Sequence, residues 1–488
     1  MQAMINTFPG LVVAGLRGGS GKTIVSLGIT TAWTKEKYKV SCFKKGPDYI
    51  DAGWLSYAAG TSCYNLDTYL CSEDQVKNSF KAQTSNCDIA VIEGNRGLFD
   101  AIDTEGKTCT AELAKLLNLP VLLVVDCTKT TRTMAALILG CKAFDPDLNI
   151  MGVILNRIAG KRHESKLRNS IEKFCNIPVL GSIPKLKGDR FPERHMGLVT
   201  FEEHAGSKKC IDLFSRVAQE NIDLKRIFTL CSQIANTGGK NTDSPVLRTE
   251  ILADYKEINF PERQICSTDQ DLKIGIIKDS AFQFYYPDNI DALIERGAEI
   301  EYISPLKQQN IPPDLDAVYM GGGFPETHAA DLAANIEFKK ELKNSAEKGL
   351  PIYAECGGFI YLGQSIEIDG KIYPMADILP VKFGLSKQPV GHGYTSVKVV
   401  SQNPYYARNE TIRGHEFRYS TILDIDFKPH EMAFKMERGK GIIDKLDGFS
   451  KGNVFATYTH IHTLTTPLWA DGIIKQAAKY KVFKQNSK

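Results

Sequence analysis

Twelve cysteines are scattered through the 488 residues without a single CxxC pair. That absence argues against a zinc ribbon or a disulfide framework, and most of these cysteines read as reduced packing residues. Long hydrophobic runs are also missing. The longest, around Leu116 to Val125, is interrupted by Asn118 and Pro120 and is too short to cross a bilayer. No basic start, apolar stretch and small-residue cleavage site opens the sequence, so a cytoplasmic protein without membrane attachment is expected. An excess of either charge is lacking as well. With 60 Lys and Arg against 57 Asp and Glu, the net charge of +3 offers no dedicated nucleic-acid surface.

What remains is an ordinary globular composition, 43% hydrophobic and 24% charged, on a chain long enough for several domains. Short apolar runs at 11–14, 40–43, 89–93, 121–126, 151–156 and 179–184 alternate with helical patterns at 22–33, 111–117, 133–144 and 164–174. This alternation predicts a parallel sheet covered by helices, with ligands at the carboxyl ends of the strands. The pattern weakens from about Ile234, in a stretch holding Gly238, Gly239 and Pro245, and resumes at Leu272. Expected are a first domain over 1–236, a linker over 237–271 and a second α/β domain over 272–488. In the second, runs at 272–278, 299–303, 317–320 and 351–355 read as strands, whereas 397–400, 411–420 and 453–462 look antiparallel.

Arg17-Gly18-Gly19-Ser20-Gly21-Lys22-Thr23 follows the first strand and opens a helix. Glycines there let backbone N–H groups converge on phosphate oxygens, and the helix dipole favours the anion. Lys22 supplies a point charge to the β- and γ-phosphates, and Thr23 offers a hydroxyl to Mg²⁺. Leu16 stands where a strict form of the motif has glycine, so the deviant form with a leading basic residue fits better. Two acidic segments end later strands, KKGPDYID at 44–51 and EGNRGLFD at 93–100. Asp48 and Glu93, together with Thr23, are the expected metal ligands. Asp48 and Asp51 equally suit a helix cap, and Asp100 a surface turn.

The second chemical feature is Ala354-Glu355-Cys356-Gly357-Gly358-Phe359, a strand running into a cysteine and two glycines. Strand, strained turn and helix form a nucleophile elbow, and a helix N-terminus favours a thiolate. Gly322 and Gly323 of the upstream GGGFPE segment, with Gly357, are the expected oxyanion hole. Among the histidines, His460 is the expected base, with His462 as the alternative on the same strand face. His415 is expected to organise the site or a domain interface. No Pro-Glu follows His460, so the carboxylate that orients the base in many triads has no obvious source.

With these segments in view, and with FKKGPDYIDAGW, NLD at 65–67, AFQFYYPDN at 281–289 and THIH at 459–462, the chain resembles the cobyrinic acid a,c-diamide synthase family along essentially its whole length. The resemblance implies a P-loop NTPase-type synthetase domain, like dethiobiotin synthetase, followed by a class I glutamine amidotransferase-like domain. It implies ATP and glutamine as co-substrates, Mg²⁺ as cofactor, and a tetrapyrrole polycarboxylate as substrate. It places Asp48, Glu93 and Asp100 at metal, phosphate or substrate handling, and Arg96 is expected to join them as an arginine facing a polycarboxylate. A homodimer is left open. Asn95-Arg96, Arg17 and Arg418 depart from the family pattern, and amidation of sirohydrochlorin or sirohaem is the alternative within the same plan. Cobyric acid synthesis and a partitioning-type ATPase are the more distant ones.

Overall fold

A computed structural model describes residues 8–186, 193–194, 197–198, 200–203, 206–237 and 271–486. The chain divides into two compact units, Met1–Arg263 and Gln264–Lys488. The linker expected over 237–271 falls, except for its two end residues, outside the described residues.

The first unit is built on a seven-stranded sheet in the order Cys63–Leu66, Val40–Lys45, Ile89–Glu93, Gly10–Gly15, Val121–Asp126, Ile150–Ile158, Val179–Pro184. Every pairing is parallel. Residues 11–13, 89–92 and 121–125 have no exposed surface, which is why these strands read as unbroken apolar runs instead of alternating ones. The first strand in sequence lies at the centre, between Ile89–Glu93 and Val121–Asp126. The loop that leaves it therefore emerges at the point where strand order reverses, the usual crevice for a ligand in such sheets. The periodicity did not reveal the short edge strand Cys63–Leu66 or the helices Tyr49–Ala59 and Glu73–Thr84. The first of these helices starts where Asp48 Oδ1 accepts the N–H groups of Ile50 and Asp51, and stops at left-handed Gly60 (φ 71°).

The second unit holds a ten-stranded mixed sheet. Its first five strands, Ala298–Ile303, Leu272–Ile277, Ala317–Met320, Ile352–Glu355 and Val454–Thr457, are parallel. An antiparallel extension follows: Leu446–Lys451, Met432–Arg438, Gly391–Val399, Thr411–Arg418 and His460–Ile461. The expected single antiparallel strand over 453–462 is corrected here. Its first part pairs in parallel with Ile352–Glu355, and the chain then breaks at Tyr458-Thr459 before rejoining the sheet at its far edge. Three residues span about 10 Å, so the extension must curl back over the carboxyl ends of the parallel strands.

Asp447 causes the break. This fully buried carboxylate accepts the Thr457 hydroxyl at 2.8 Å, the Tyr458 N–H at 3.0 Å, and both the N–H (3.1 Å) and hydroxyl (2.8 Å) of Thr459. Donors collected by one side chain are unavailable to a ladder. The Thr459 N–H also has the Thr457 hydroxyl oxygen at 3.0 Å, so Asp447→Ala should leave three buried donors without an acceptor and cost about 3 kcal/mol or more. Urea unfolding would measure the loss; a cost under ~0.5 kcal/mol, typical of a surface position, would contradict this account.

Candidate functional site

In the first unit, the loop after Gly15 is held open from below. Ser20 Oγ donates to Arg17 O at 2.8 Å, and Asn156 Nδ2 donates to Ser20 O at 2.9 Å. Gly21 has φ 99°, and a Cβ there would overlap the Asn156 amide, so glycine is required. Gly18 and Gly19 face open space, and Lys22 begins the helix Lys22–Lys35. The segment EGNRGLFD lies across this loop. Leu98 N–H donates to Gly15 O at 2.7 Å, and Lys22 Nζ donates to Arg96 O at 2.7 Å. Burial, and then the charge of Lys44, pull Lys22 below the ordinary lysine range. Arg96 turns with φ 50° and leaves its side chain exposed. Asp100 serves the turn: its Oδ2 accepts the Gly97 N–H at 2.8 Å. Arg17 reaches sideways to Asp126, at 3.1 Å.

Glu93 is fully buried at the strand end, and its Oε1 accepts the Thr23 hydroxyl at 2.8 Å. Asp48, by contrast, commits Oδ1 to capping its helix. Between these carboxylates sits Lys44, which the sequence reading did not single out. Its ammonium lies 2.5 Å from Asp51, 3.0 Å from Glu93 and 3.8 Å from Asp48. Strand register explains the meeting, because Lys44 pairs directly with Glu93. Burial opposes the Lys44 charge, but Asp51, Glu93 and Asp48 outweigh it and hold the ammonium above the ordinary range. Among the described residues no three acidic, His or Cys side chains form a ready-made metal cage. The Thr23–Glu93 pair nevertheless suits Mg²⁺, which keeps most of its waters and takes one or two carboxylates plus phosphates. Glu93 Oε2 is buried with no hydrogen-bond partner and is the oxygen available to such an ion. Lys44→Met should strand half-buried Asp51 and fully buried Glu93 and destabilise the protein by about 3 kcal/mol. A loss below ~1 kcal/mol in urea unfolding, as for an exposed pair, would count against a buried network.

In the second unit, Ile352–Glu355 ends at Cys356, whose φ of 47° and ψ of −97° make a strained turn before the helix Gly357–Leu362. Cys356 N–H donates to Thr457 O at 2.8 Å, which fixes the turn beside the parallel neighbour strand. The Cys356 thiol adjoins His460 and helps raise that imidazole, while its Sγ lies 3.9 Å from Phe417 O. Gly322, Gly323 and Gly357 pack against one another and against the imidazole: a Cβ on Gly357 would meet Gly323 N, and one on Gly322 would meet His460 Cε1. His462 turns elsewhere, with Nε2 3.4 Å from Asp288 Oδ2 and its ring 4.4 Å from that of Tyr286. His415 stacks on His460 at 4.9 Å with 22° between the planes, and its Nδ1 lies 3.2 Å from the Tyr286 hydroxyl. Arg418 points inward, over the Tyr458 ring and onto the carbonyls of Ser420 and Gly441.

Glu355 also went unnoticed in the sequence. Its Oε2 lies 3.1 Å from His460 Nδ1 and 3.3 Å from the Tyr319 hydroxyl, and its Oε1 accepts the Ile461 N–H at 3.4 Å. An acid closing a strand that is otherwise Ile-Tyr-Ala was the available signal. Burial opposes a charged His460, but its bonds to Cys356 and Glu355 prevail and push it up to about 10.

Residues 11–199 match the CobQ/CobB/MinD/ParA nucleotide binding domain. Residues 273–467 match the CobB/CobQ-like glutamine amidotransferase domain. The chain is 37% identical to the cobyrinate a,c-diamide synthase of Magnetococcus marinus, over 95% of this chain and 96% of that one. To the protein of that name from Archaeoglobus fulgidus it is 35% identical, over 99% and 100%. To that from Salmonella typhimurium it is 36% identical, over 93% and 95%. With both halves matched at this level and across nearly full length, the chain belongs to the cobyrinate a,c-diamide synthase family.

Proposed function

We propose that this protein is a glutamine-dependent carbon–nitrogen ligase that amidates peripheral carboxylates of cobyrinate, using ATP. The observation that supports it most is the pairing, within one polypeptide, of a phosphate-binding loop bridged to EGNRGLFD with a cysteine turn set beside a carboxylate-bound imidazole. Near-complete coverage of relatives bearing the synthase name supports cobyrinate as the substrate over other tetrapyrroles.

A carboxylate resists attack by nitrogen because resonance and negative charge protect its carbon. In the first unit, a substrate carboxylate oxygen attacks the γ-phosphorus of ATP. The bond to the β-phosphate oxygen breaks, and ADP leaves an acyl phosphate behind. Lys22 offsets charge on the transferring group, while the loop N–H groups hold the phosphates in line. Mg²⁺, held by Thr23 and Glu93, supplies further charge neutralisation when bound. Lys44 holds Asp51 below the ordinary carboxylate range and offsets part of the burial that raises Glu93. On the loop that crosses the phosphate site, exposed Arg96 meets the substrate's acid groups, and Asp100 holds the turn that presents it through the Gly97 N–H.

In the second unit, Cys356 Sγ attacks the side-chain amide carbon of glutamine. The glycine loop stabilises the oxyanion, His460 gives a proton to the departing nitrogen, and ammonia leaves. Water then hydrolyses the thioester, releasing glutamate and restoring the thiol. Ammonia attacks the acyl phosphate carbon, phosphate departs and the amide remains.

Cys356→Ala should abolish glutamine-supported amidation and retain turnover with ammonium, whereas Lys22→Ala should lower both by about 10²-fold or more. Mass spectrometry of products from cobyrinate, sirohydrochlorin and sirohaem tests the substrate. Each carboxylate-to-amide conversion lowers the mass by about 1 Da, so two conversions on cobyrinate are expected; products from sirohydrochlorin alone would reassign the enzyme.

A further inference from the structure

The histidine strand carries no acid after His460, yet the imidazole is not left without a carboxylate. We propose that Glu355, the residue immediately before the nucleophile, is the positioning carboxylate of the amidase site. It orients the His460 ring from the nucleophile's own strand, while His415 covers one face of that ring. This rests on the glutaminase role proposed above for Cys356 and His460.

The backbone explains how two adjacent residues serve one imidazole. In a regular strand, neighbours point to opposite faces, so a glutamate and a cysteine in sequence could not both reach the same ring. Here the chain leaves strand geometry at Cys356, with φ 47°. Glu355 is the last residue in strand geometry, and the turn at Cys356 frees the next side chain from the strict alternation. Glu355 Oε2 takes the Nδ1 side of His460, which leaves Nε2 as the nitrogen available to the thiol. The carboxylate cannot drift, because Tyr319 O–H and Ile461 N–H also donate to it. Of these, the Ile461 amide belongs to the residue next to the histidine, so the same carboxylate fixes both the ring and its backbone.

The remaining titratable neighbours are arranged to leave Glu355 as the counter-charge. His415 lies opposite His460 in strand register and stacks on it. Burial, followed by the charges of His460 and His462, holds His415 well below the ordinary histidine range, so it packs as a neutral ring. A neutral π-face is compatible with an imidazolium where a second cation would not be. His462 is turned to Asp288 and Tyr286. A buried imidazolium with no carboxylate would carry a desolvation cost of several kcal/mol, and Glu355 is the carboxylate within bonding distance.

The test uses the full chain with Glu355→Gln, which keeps size and removes charge. Removing an anion destabilises the imidazolium, so His460 loses its proton at lower pH. Glutamate release by the wild type should persist up to near pH 10. In Glu355→Gln that alkaline limb should fall by about one unit or more, and kcat should drop ~10²-fold with KM for glutamine little changed. The rate of Cys356 alkylation by iodoacetamide at neutral pH, followed on its peptide by mass spectrometry, should drop about tenfold. Ammonium-supported turnover of the same variant reports that it is folded. Should Glu355→Gln not fold, Glu355→Asp carries the test: it keeps the charge while shortening its reach, so kcat falls but the alkaline limb stays near that of the wild type. An unshifted limb in Glu355→Gln, or an unchanged kcat in Glu355→Asp, overturns the assignment. Cys356→Ala separates the two levels. If it still uses glutamine, the amidase role itself fails; if it does not, and Glu355→Gln behaves as wild type, this inference alone fails.

Discussion

The amidotransferase unit depends on the three-residue step from Thr457 to His460. Val454–Thr457 lies in the middle of the ten-stranded sheet and His460–Ile461 at its far edge, so so short a step forces the antiparallel extension to close over the parallel strands. Closure places the cysteine turn, the imidazole and the second histidine in a dry interior. In that setting a charge without a partner is unaffordable. Asp447 makes the step, and Glu355 answers the charge that the step buries. The same low dielectric strengthens the hydrogen bond between Glu355 and the imidazole, so the enclosure that imposes the cost also holds the ring in place.

The synthetase unit solves an equivalent problem with the opposite sign. Carboxylates gathered at the ends of parallel strands repel one another, and those at 51 and 93 are held at close range only because Lys44 is buried among them. That cation is set by register, directly opposite Glu93 across the ladder. Thr23 reaches the same carboxylate from the phosphate loop, and Lys22 reaches the backbone of the loop beyond it. Nucleotide loop, acidic cluster and EGNRGLFD are thus one hydrogen-bonded assembly, and a phosphate or ion entering it meets groups already held in place.

Arg418 and Asp48 illustrate how position changes the meaning of a residue. As a departure from the family pattern, Arg418 invited comparison with Arg17 and Arg96, but it is an internal brace over Tyr458. Asp48 kept two roles open in sequence. Its Oδ1 is a helix cap, and its other oxygen faces Lys44 at 3.8 Å, so the cap is what brings that oxygen to the cluster.

Local rules were sufficient wherever a residue's neighbours in sequence decide its environment. The alternation of buried parallel strands with helices, the glycine loop at a helix start and the strand–cysteine–glycine turn all follow from backbone geometry over a few residues, and were legible as such. The roles of Lys44 and Glu355 were not, because each lies in an apolar strand where a charge has meaning only through what stands beside it. Register across the first sheet supplied one partner, and closure of the second sheet supplied the other. The break at Tyr458-Thr459 was hidden for the same reason: its cause, Asp447, is on another strand. Sequence by itself determined the parallel first sheet, the glycine loop at a helix start and the strand–cysteine–glycine turn. Tertiary structure alone decided which charges face each other, since electrostatic pairing depends on distance through space and not on separation along the chain.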